Sequence, residues 1–153
     1  MSQTPTAAVL STAAEEVLET MFFLCSGGEG AACETAGSER ISAALDFHGT
    51  RSGTVCVSVS LATARNMAQG FLGIEAGAIS ESQVAEVVRE LANMVSGSVL
   101  SRLEPEGRFE LAAPNIIGTA QPGAAADAQP VAACRLNLDD GFASISLYMR
   151  DAT

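Results

Sequence analysis

Glu90 and Asn93 are the pair of residues whose types and spacing could do chemistry in this chain. They lie in Glu81–Leu103, a stretch whose periodicity predicts one long helix. Residues three apart project from the same helix face. A carboxamide can donate and accept hydrogen bonds together, so it can hold a water in a fixed direction, and a carboxylate can pair with a cation. Phosphoryl transfer needs little more from a protein than such a water and well-placed charge.

The predicted helix has two separable faces when its residues are placed at about 100° each. An apolar stripe, which must be buried, contains Val84, Val88, Leu91 and Val95. A second stripe, almost opposite, contains Glu86, Glu90, Asn93 and Gly97. In a helix interior Asn costs roughly half a kcal/mol relative to Ala, and Gly costs about 1. We therefore expect the second stripe to face solvent and to be kept for contact with a partner, whose surface could approach closely at Gly97.

The structural alternative for this pair stays open at this point. A Glu and an Asn on a solvated helix face are, taken alone, more often structural than functional. The limits of the helix are better marked. Ser80 and Gln83 form a capping box at its start, and the sequence Glu-Pro-Glu-Gly over residues 104–107 stops it.

Length and composition restrict the class of protein. The 153 residues suit one domain with one core, and 48% hydrophobic against 17% charged residues favours a folded globular domain. A net charge of −10 argues against a nucleic-acid partner, because phosphates would be repelled. No apolar run is long enough to span a membrane, and the first residues lack the positive charge of a secretory signal. We therefore expect a cytoplasmic protein with no membrane association.

The cysteines and the histidine predict no metal site in this chain. Cys25, Cys33, Cys56 and Cys134 form no Cys-x-x-Cys pair, so we interpret them as small buried hydrophobic residues. His48 is the single histidine, and we expect it to be solvated in a turn. No nucleophile elbow, Walker-type loop or dinucleotide fingerprint is present, which argues against a self-contained hydrolase or kinase.

Periodicity along the chain predicts an α+β domain. We expect residues 1–7 to form a flexible tail and residues 8–153 to form a single domain. Helical spacing predicts helices over 8–24 and 63–72, the second ended by Gly73. Alternation predicts a hairpin of 41–47 and 55–61 around a turn at 48–53, and a second hairpin around Asp139-Asp140-Gly141. A short strand over 115–117 and a mobile loop over 118–130 lie between them.

The two halves of the chain look like a diverged internal repeat. The segment Leu18-Glu-Thr-Met21 corresponds to Leu91-Ala-Asn-Met94. In this register Thr20 replaces Asn93 and Val17 replaces Glu90, so the chemical stripe is not repeated. We therefore expect one site per chain, on an antiparallel sheet built from two pseudo-repeated hairpins with long helices packed on one face. The strand after the long helix and the terminal hairpin could leave free sheet edges.

The chain resembles the CheC/CheX family of chemotaxis phosphatases, and the CheX members most closely. The resemblance rests first on the Glu-x-x-Asn sequence of Glu90-Leu-Ala-Asn93-Met-Val-Ser-Gly97. It also rests on Glu15–Phe23 near the start, on the hairpin segment Phe47–Val55, and on Ala113–Gly118 after the long helix. It covers roughly residues 8 to 150.

This resemblance implies a phosphatase that acts on the aspartyl phosphate of a CheY-like response regulator. Asn93 would orient the attacking water, and Glu90 would pair with the cation of the regulator's active site. Glu86, Arg89 and Gly97 would be candidate docking contacts. The chain would need no cofactor of its own, because the regulator would supply the acceptor Asp and the Mg²⁺ ion. The resemblance to this family also implies a homodimer.

Two other functions remain as alternatives. A non-catalytic interaction module related to the flagellar-switch proteins would keep this architecture without the Glu-x-x-Asn pair. A small-ligand sensor would use the apolar interior, but no set of polar residues converges to specify a ligand. Neither the particular regulator nor its pathway follows from the sequence.

Overall fold

The computed structural model describes residues 4–22, 40–49, 52–103, 106–118, 131–138 and 141–150. Within these ranges the helices are α1 (Thr4–Phe22), α2 (Leu61–Leu72) and α3 (Glu81–Leu103). The strands are β1 (Arg40–Gly49), β2 (Ser52–Ser60), β3 (Phe109–Leu111), β4 (Asn115–Gly118), β5 (Ala132–Leu138) and β6 (Gly141–Arg150). No helix in these ranges is long and apolar enough to cross a membrane.

The strands form a single antiparallel sheet with the order β3-β1-β2-β6-β5, and β4 also pairs with β1. The hairpins β1–β2 and β5–β6 meet at the centre, where Ser52 pairs with Arg150 and Val59 with Ala143. In the part of the chain that the structure describes, the outer strands are therefore β3 and β4 on one side and β5 on the other. This arrangement confirms the predicted α+β fold and its two hairpins.

The helices and one face of the sheet bury a common apolar core. Successive side chains of a strand point to opposite faces, so alternate residues of β1, β2 and β6 meet the helices. The core includes Ala43, Phe47, Val55, Val57, Ile145 and Leu147 from the sheet, and Leu10, Leu18, Met67, Val88, Leu91 and Val95 from the helices. The apolar stripe predicted for α3 is therefore buried, which fixes the orientation of the rest of that helix.

The alternate residues of the same strands carry small polar groups. The hydroxyls of Ser42 and Ser58 lie 2.7 Å apart and share a hydrogen bond, and both side chains are buried. Thr54 Oγ1 donates to Asp46 Oδ1 at 2.8 Å. Cys56 lies buried in this register, where burial first and the negative charge of Asp46 second raise the pKa of its thiol. Cys134 is also buried, and neither it nor Cys56 forms a disulfide within the described residues, whereas Cys25 and Cys33 lie outside them.

The start of α3 has the predicted capping box. Gln83 N donates to Ser80 Oγ at 3.2 Å, and Ser80 N donates to Gln83 Oε1 at 2.9 Å. Two backbone donors that a helix start would leave unpaired are thus satisfied reciprocally. The helix runs from Glu81 to Leu103, as the sequence predicts. Its register is therefore set by its cap as well as by its buried stripe.

The remaining helices differ from the sequence-based limits mainly at their starts. Helix α1 begins at Thr4, four residues early, because Pro5 is compatible with a first helical turn. Helix α2 begins at Leu61, which we assigned to the preceding strand, and it ends at Gly73 with φ 68°, as predicted.

The first hairpin is tighter than its predicted turn at 48–53. Strand β1 continues to Gly49 because a second partner extends it, with His48 opposite Glu110 of β3. His48 is therefore in a strand rather than in a turn, although it is exposed as expected. Only a glycine fits at position 49, where an added Cβ would lie 2.0 Å from the Arg108 carbonyl oxygen. Strand β3 was not predicted, because three residues are too few to show periodicity. The predicted loop of 118–130 is wrong at Gly118, which pairs with β1 as the last residue of β4, and the rest of it lies outside the described residues.

Candidate functional site

Helix α3 places the predicted site residues on the side away from the core. Glu86 and Glu90 are exposed, whereas Arg89, Asn93 and Gly97 are half-buried. On the opposite side of the helix, Val84, Val88, Leu91 and Val95 are buried, as the sequence predicts. The carboxylates of the second stripe therefore face solvent, but its amide and its glycine do not lie fully open.

A groove between α1 and α3 explains this partial burial. It has a volume of about 520 Å³ and is lined by Glu16, Val17, Thr20, Asn93, Met94, Gly97, Ser98 and Ser101. Asn93 and Gly97 thus line a shallow, solvent-open surface shared with α1, and the packing of that helix partly covers this portion of the stripe. Glu86, Arg89 and Glu90 are not among its lining residues, so the predicted set is divided between the groove and the exposed surface next to it.

Gly97 is not required by packing within the described part of the chain. A Cβ atom built at this position would meet nothing within 4 Å. The glycine costs the helix about 1 kcal/mol relative to Ala. No close packing against the described residues requires the absence of a side chain here, so nothing in this part of the chain offsets that cost. Open space at this position leaves room in the groove for a group from outside the chain.

An ion pair spans one end of the groove. Arg102 of α3 pairs through Nη2 with Glu16 Oε1 of α1, and its Nε donates to Ser98 Oγ at 3.3 Å. The two charged side chains are 35% and 59% exposed, so solvent weakens the pair. Its main consequence is geometric, because it joins α1 to α3 just beyond Ser101.

The arrangement could bind and orient a small polar group, with a carboxylate at the open end. The Asn93 amide has both donor and acceptor atoms at the groove wall, where a water can be held between the helices. One helical turn earlier, the exposed Glu90 can meet a cation presented by another molecule. Among the residues that the structure describes, no group of three or more His, Cys, Asp or Glu side chains is placed to hold a metal ion.

Sequence reasoning missed the contribution of α1 to this site. The groove residues Glu16 and Thr20, and the ion-pair partner Arg102, were not among the predicted site residues. A signal for Thr20 was present, because the internal repeat aligns it with Asn93. From the sequence alone, the replacement of Asn93 by Thr20 in the repeat indicates that a second site is absent. The structure shows in addition that Thr20 and Asn93 line the same groove.

Solved structures share this fold over nearly the whole chain. The chemotaxis protein CheX from Vibrio vulnificus has a TM-score of 0.75 and 19% identity, covering 98% of this chain and 99% of its own. A CheX-CheY-BeF3-Mg complex from Borrelia burgdorferi gives 0.70 and 17%, covering 94% and 97%. The FliM middle domain from Vibrio alginolyticus gives 0.56 and 13%, covering 95% and 93%.

Sequence comparison identifies the family. No curated protein sequence matches the chain. The family model described as chemotaxis phosphatase CheX matches residues 41–134, which contain the whole of α3 and more than half of the chain. The chain therefore belongs to the CheX family of chemotaxis phosphatases.

Proposed function

We propose that this protein is a phosphatase that hydrolyses the aspartyl phosphate of a CheY-like response regulator. The observation that carries the proposal is the display of Glu90 and Asn93 on the outer side of α3, in a chain of the CheX family. The family match includes this helix, and a similar solved structure contains a CheX bound to a CheY with BeF3 and Mg. A phosphorylated receiver domain is therefore the partner that best fits the site.

In this proposal Asn93 orients the water that attacks the phosphorus atom. An amide at the groove wall can accept from one proton of that water while donating to an oxygen of the phosphoryl group or its surroundings. The reaction needs an attacking water in line with the leaving aspartyl oxygen, and positioning supplies most of the catalysis. The regulator contributes the phosphorylated Asp and the Mg²⁺ ion, so the chain itself needs no cofactor.

Glu90 holds the regulator against this groove. Its exposed carboxylate pairs with the cationic side chain of the regulator's phosphorylation site. Such a pair becomes desolvated when the interface closes, which makes it stronger than an exposed pair in water. Glu86 and Arg89 lie on the same side of α3 and make further docking contacts, and Gly97 lets the regulator approach the helix.

The state in which the protein acts is also part of the proposal. We propose a cytoplasmic homodimer, since its substrate is an intracellular signalling protein and since the outer strands of the sheet can pair with those of a second copy. Size-exclusion chromatography with light scattering at several concentrations tests the dimer. A monomeric mass throughout would contradict it without affecting the proposed reaction.

A non-catalytic interaction module is the second candidate function. The FliM middle domain shares the fold, although with a lower TM-score than the CheX structures. Such a module has no use for a water-orienting amide next to an open groove. The two functions differ in turnover, because a module binds the regulator stoichiometrically whereas a phosphatase releases many phosphates.

Phosphate release from a panel of phosphorylated receivers tests the proposal. Each receiver is phosphorylated with acetyl phosphate, and the excess acetyl phosphate is then removed. The protein is added at about one hundredth of the concentration of the phosphorylated receiver. We expect at least one receiver to lose its phosphate many times per protein molecule. Binding to beryllofluoride-loaded receivers without any multiple turnover would instead support the interaction module.

A further inference from the structure

The position of Asn93 in a two-walled groove means that its substrate must also meet α1. A receiver that brings a phosphoryl group to Asn93 places that group, with the loop that carries it, against the shallow groove that both helices line. The groove volume of about 520 Å³ is in the range of pockets that accept several side chains rather than a single water. Thr20 is the exposed α1 residue that lines this space without taking part in the Glu16–Arg102 pair.

Several residues that line the groove have short side chains or none. On α3 the glycine at position 97 leaves space that no described part of the chain fills, and Ser98 and Ser101 add only short side chains. On α1 the corresponding wall residue, Thr20, is also short. A larger residue at any of these positions would be an ordinary choice for a helix, and Leu has a better helix propensity than Thr or Gly. The groove is also lined by the longer side chains of Met94 and Glu16, and the small residues beside them favour the entry of an external segment.

The direction of entry follows from the charges. The Glu16–Arg102 pair spans the groove beyond Ser101, at the carboxyl-terminal end of α3. At the other end, one turn before Asn93, the exposed Glu90 and Glu86 flank the half-buried Arg89, so among the described residues of α3 this end carries a net negative charge. A receiver loop flanked by a cationic side chain and a metal ion is complementary to that end, and long-range attraction would guide it there.

We propose that α1 forms the second wall of the receiver-docking groove and that Thr20 is a specificity-determining contact on it. This inference rests on the phosphatase function proposed above. The family match begins at residue 41 and so does not include α1. The groove geometry alone brings Thr20 into the same space as Asn93. Receivers whose active-site loops differ in bulk are therefore selected by the space that Thr20 leaves.

The variants Thr20→Leu, Thr20→Ala and Thr12→Leu test this role. Leu at position 20 fills the groove, whereas Ala keeps it open. Thr12 is an exposed threonine of the same helix that does not line the groove, so Thr12→Leu is a matched control with the same change in helix propensity. All three variants should melt at or above the temperature of the unmodified protein. Steady-state dephosphorylation then separates KM from kcat for each variant.

We expect Thr20→Leu to raise KM at least tenfold, about 1.4 kcal/mol in docking, while kcat stays within about twofold. Thr12→Leu should leave both parameters nearly unchanged, whereas Thr20→Ala, which removes the contact but keeps the groove open, should change KM by less than Thr20→Leu does. Equal KM values for the leucine variants at positions 12 and 20 would overturn the inference, and so would a melting temperature of Thr20→Leu that falls together with its activity. If the unmodified protein dephosphorylates no receiver, the proposed function itself fails and this inference with it.

Discussion

Asn93 and Gly97 lie one helical turn apart on α3, and both line the groove that α3 forms with α1. A side chain that can orient a water therefore lies next to a position that has no side chain. Neither residue is favoured in a helix interior. The proposed entry of a receiver into the groove would account for both residues.

Replacing Asn93 with Ala should abolish dephosphorylation and leave the fold intact. The amide is half-buried at the groove wall and makes no part of the core cluster. Loss of one group that stabilises a transition state typically costs about 2.7–4 kcal/mol, or about 10²–10³ in rate. Single-turnover phosphate release measures the loss, with Gln69→Ala, an exposed carboxamide residue of α2, as a control. A folded Asn93→Ala protein with near-normal turnover would remove Asn93 from the catalytic role.

Glu90→Ala should weaken the complex with the regulator and also slow phosphate release. Removal of one partner from a charge pair that is desolvated at an interface costs about 2–5 kcal/mol. Titration against a receiver loaded with beryllofluoride measures the affinity directly. Glu75→Ala is the control, because Glu75 is exposed and lies outside α3. An affinity and a rate that both match the control would show that Glu90 is not part of the site.

Gly97→Leu should raise or retain thermal stability and lose activity. A Cβ at this position has open space within 4 Å, so overpacking within the described part of the chain is not expected. Leu also improves helix propensity, by up to about 1 kcal/mol relative to Gly. Gly70→Leu on α2 is a matched control, since its Cβ also meets nothing within 4 Å and it does not line the groove. Melting temperature and dephosphorylation are measured on one preparation of each variant.

The two outcomes for Gly97→Leu separate the possible roles of the glycine. A retained melting temperature with lost activity supports the docking surface. A lower melting temperature with a proportionate loss of activity would instead assign the glycine to packing against another part of the chain, at a cost of roughly 1–3 kcal/mol.

The Glu16–Arg102 pair should contribute little to global stability. Its side chains are 35% and 59% exposed, and pairs in such positions are worth about 0.2–1 kcal/mol. A double-mutant cycle with Glu16→Gln and Arg102→Gln, followed by urea denaturation, measures the coupling energy. The coupling should decrease in 1 M salt, where the Debye length is only about 3 Å. A coupling well above 1 kcal/mol that salt does not change would mean that the pair is shielded from solvent.

The buried thiol of Cys56 should make the protein less stable as the solution becomes alkaline. Burial and the nearby Asp46 carboxylate raise the pKa of the thiol in the folded state above that of the unfolded chain. Below the unfolded pKa of about 8.5 both states hold the proton, so the contribution is constant. As the pH rises from that value towards the folded pKa, the unfolded chain releases the proton first, and the free energy of unfolding falls.

Urea denaturation in a reducing buffer between pH 7.5 and about 9.5 measures this effect. The Cys56→Ala variant should lose less stability over the range than the unmodified protein. Tyr148, whose pKa is raised by burial and then by Cys56, titrates at higher pH and adds a loss of the same sign there. Parallel pH profiles for the two proteins would show that the thiol is not responsible.

Local patterns in the sequence predicted the parts of the site that lie on one element. The Ser80–Gln83 cap and the apolar stripe set both the ends and the buried face of α3, so the positions of Glu90 and Asn93 followed directly. The groove could not be derived in this way, because it depends on how α1 packs against α3. Strand β3 and the extension of β1 to Gly49 were missed for the same reason, since pairing with a distant segment creates them.

The central position of the β2–β6 pair has a consequence for how the chain acquires its structure. Ser52 pairs with Arg150, so the middle of the sheet joins residues that are far apart in the sequence. Contacts between residues so distant in sequence must overcome a large loop-closure entropy and are made late and slowly. During synthesis, the sheet should therefore stay incomplete until β6 has emerged from the ribosome, although α1, the first hairpin and α3 have emerged earlier. A chain truncated before Gly141 loses a central strand rather than an edge strand, and should be unable to fold.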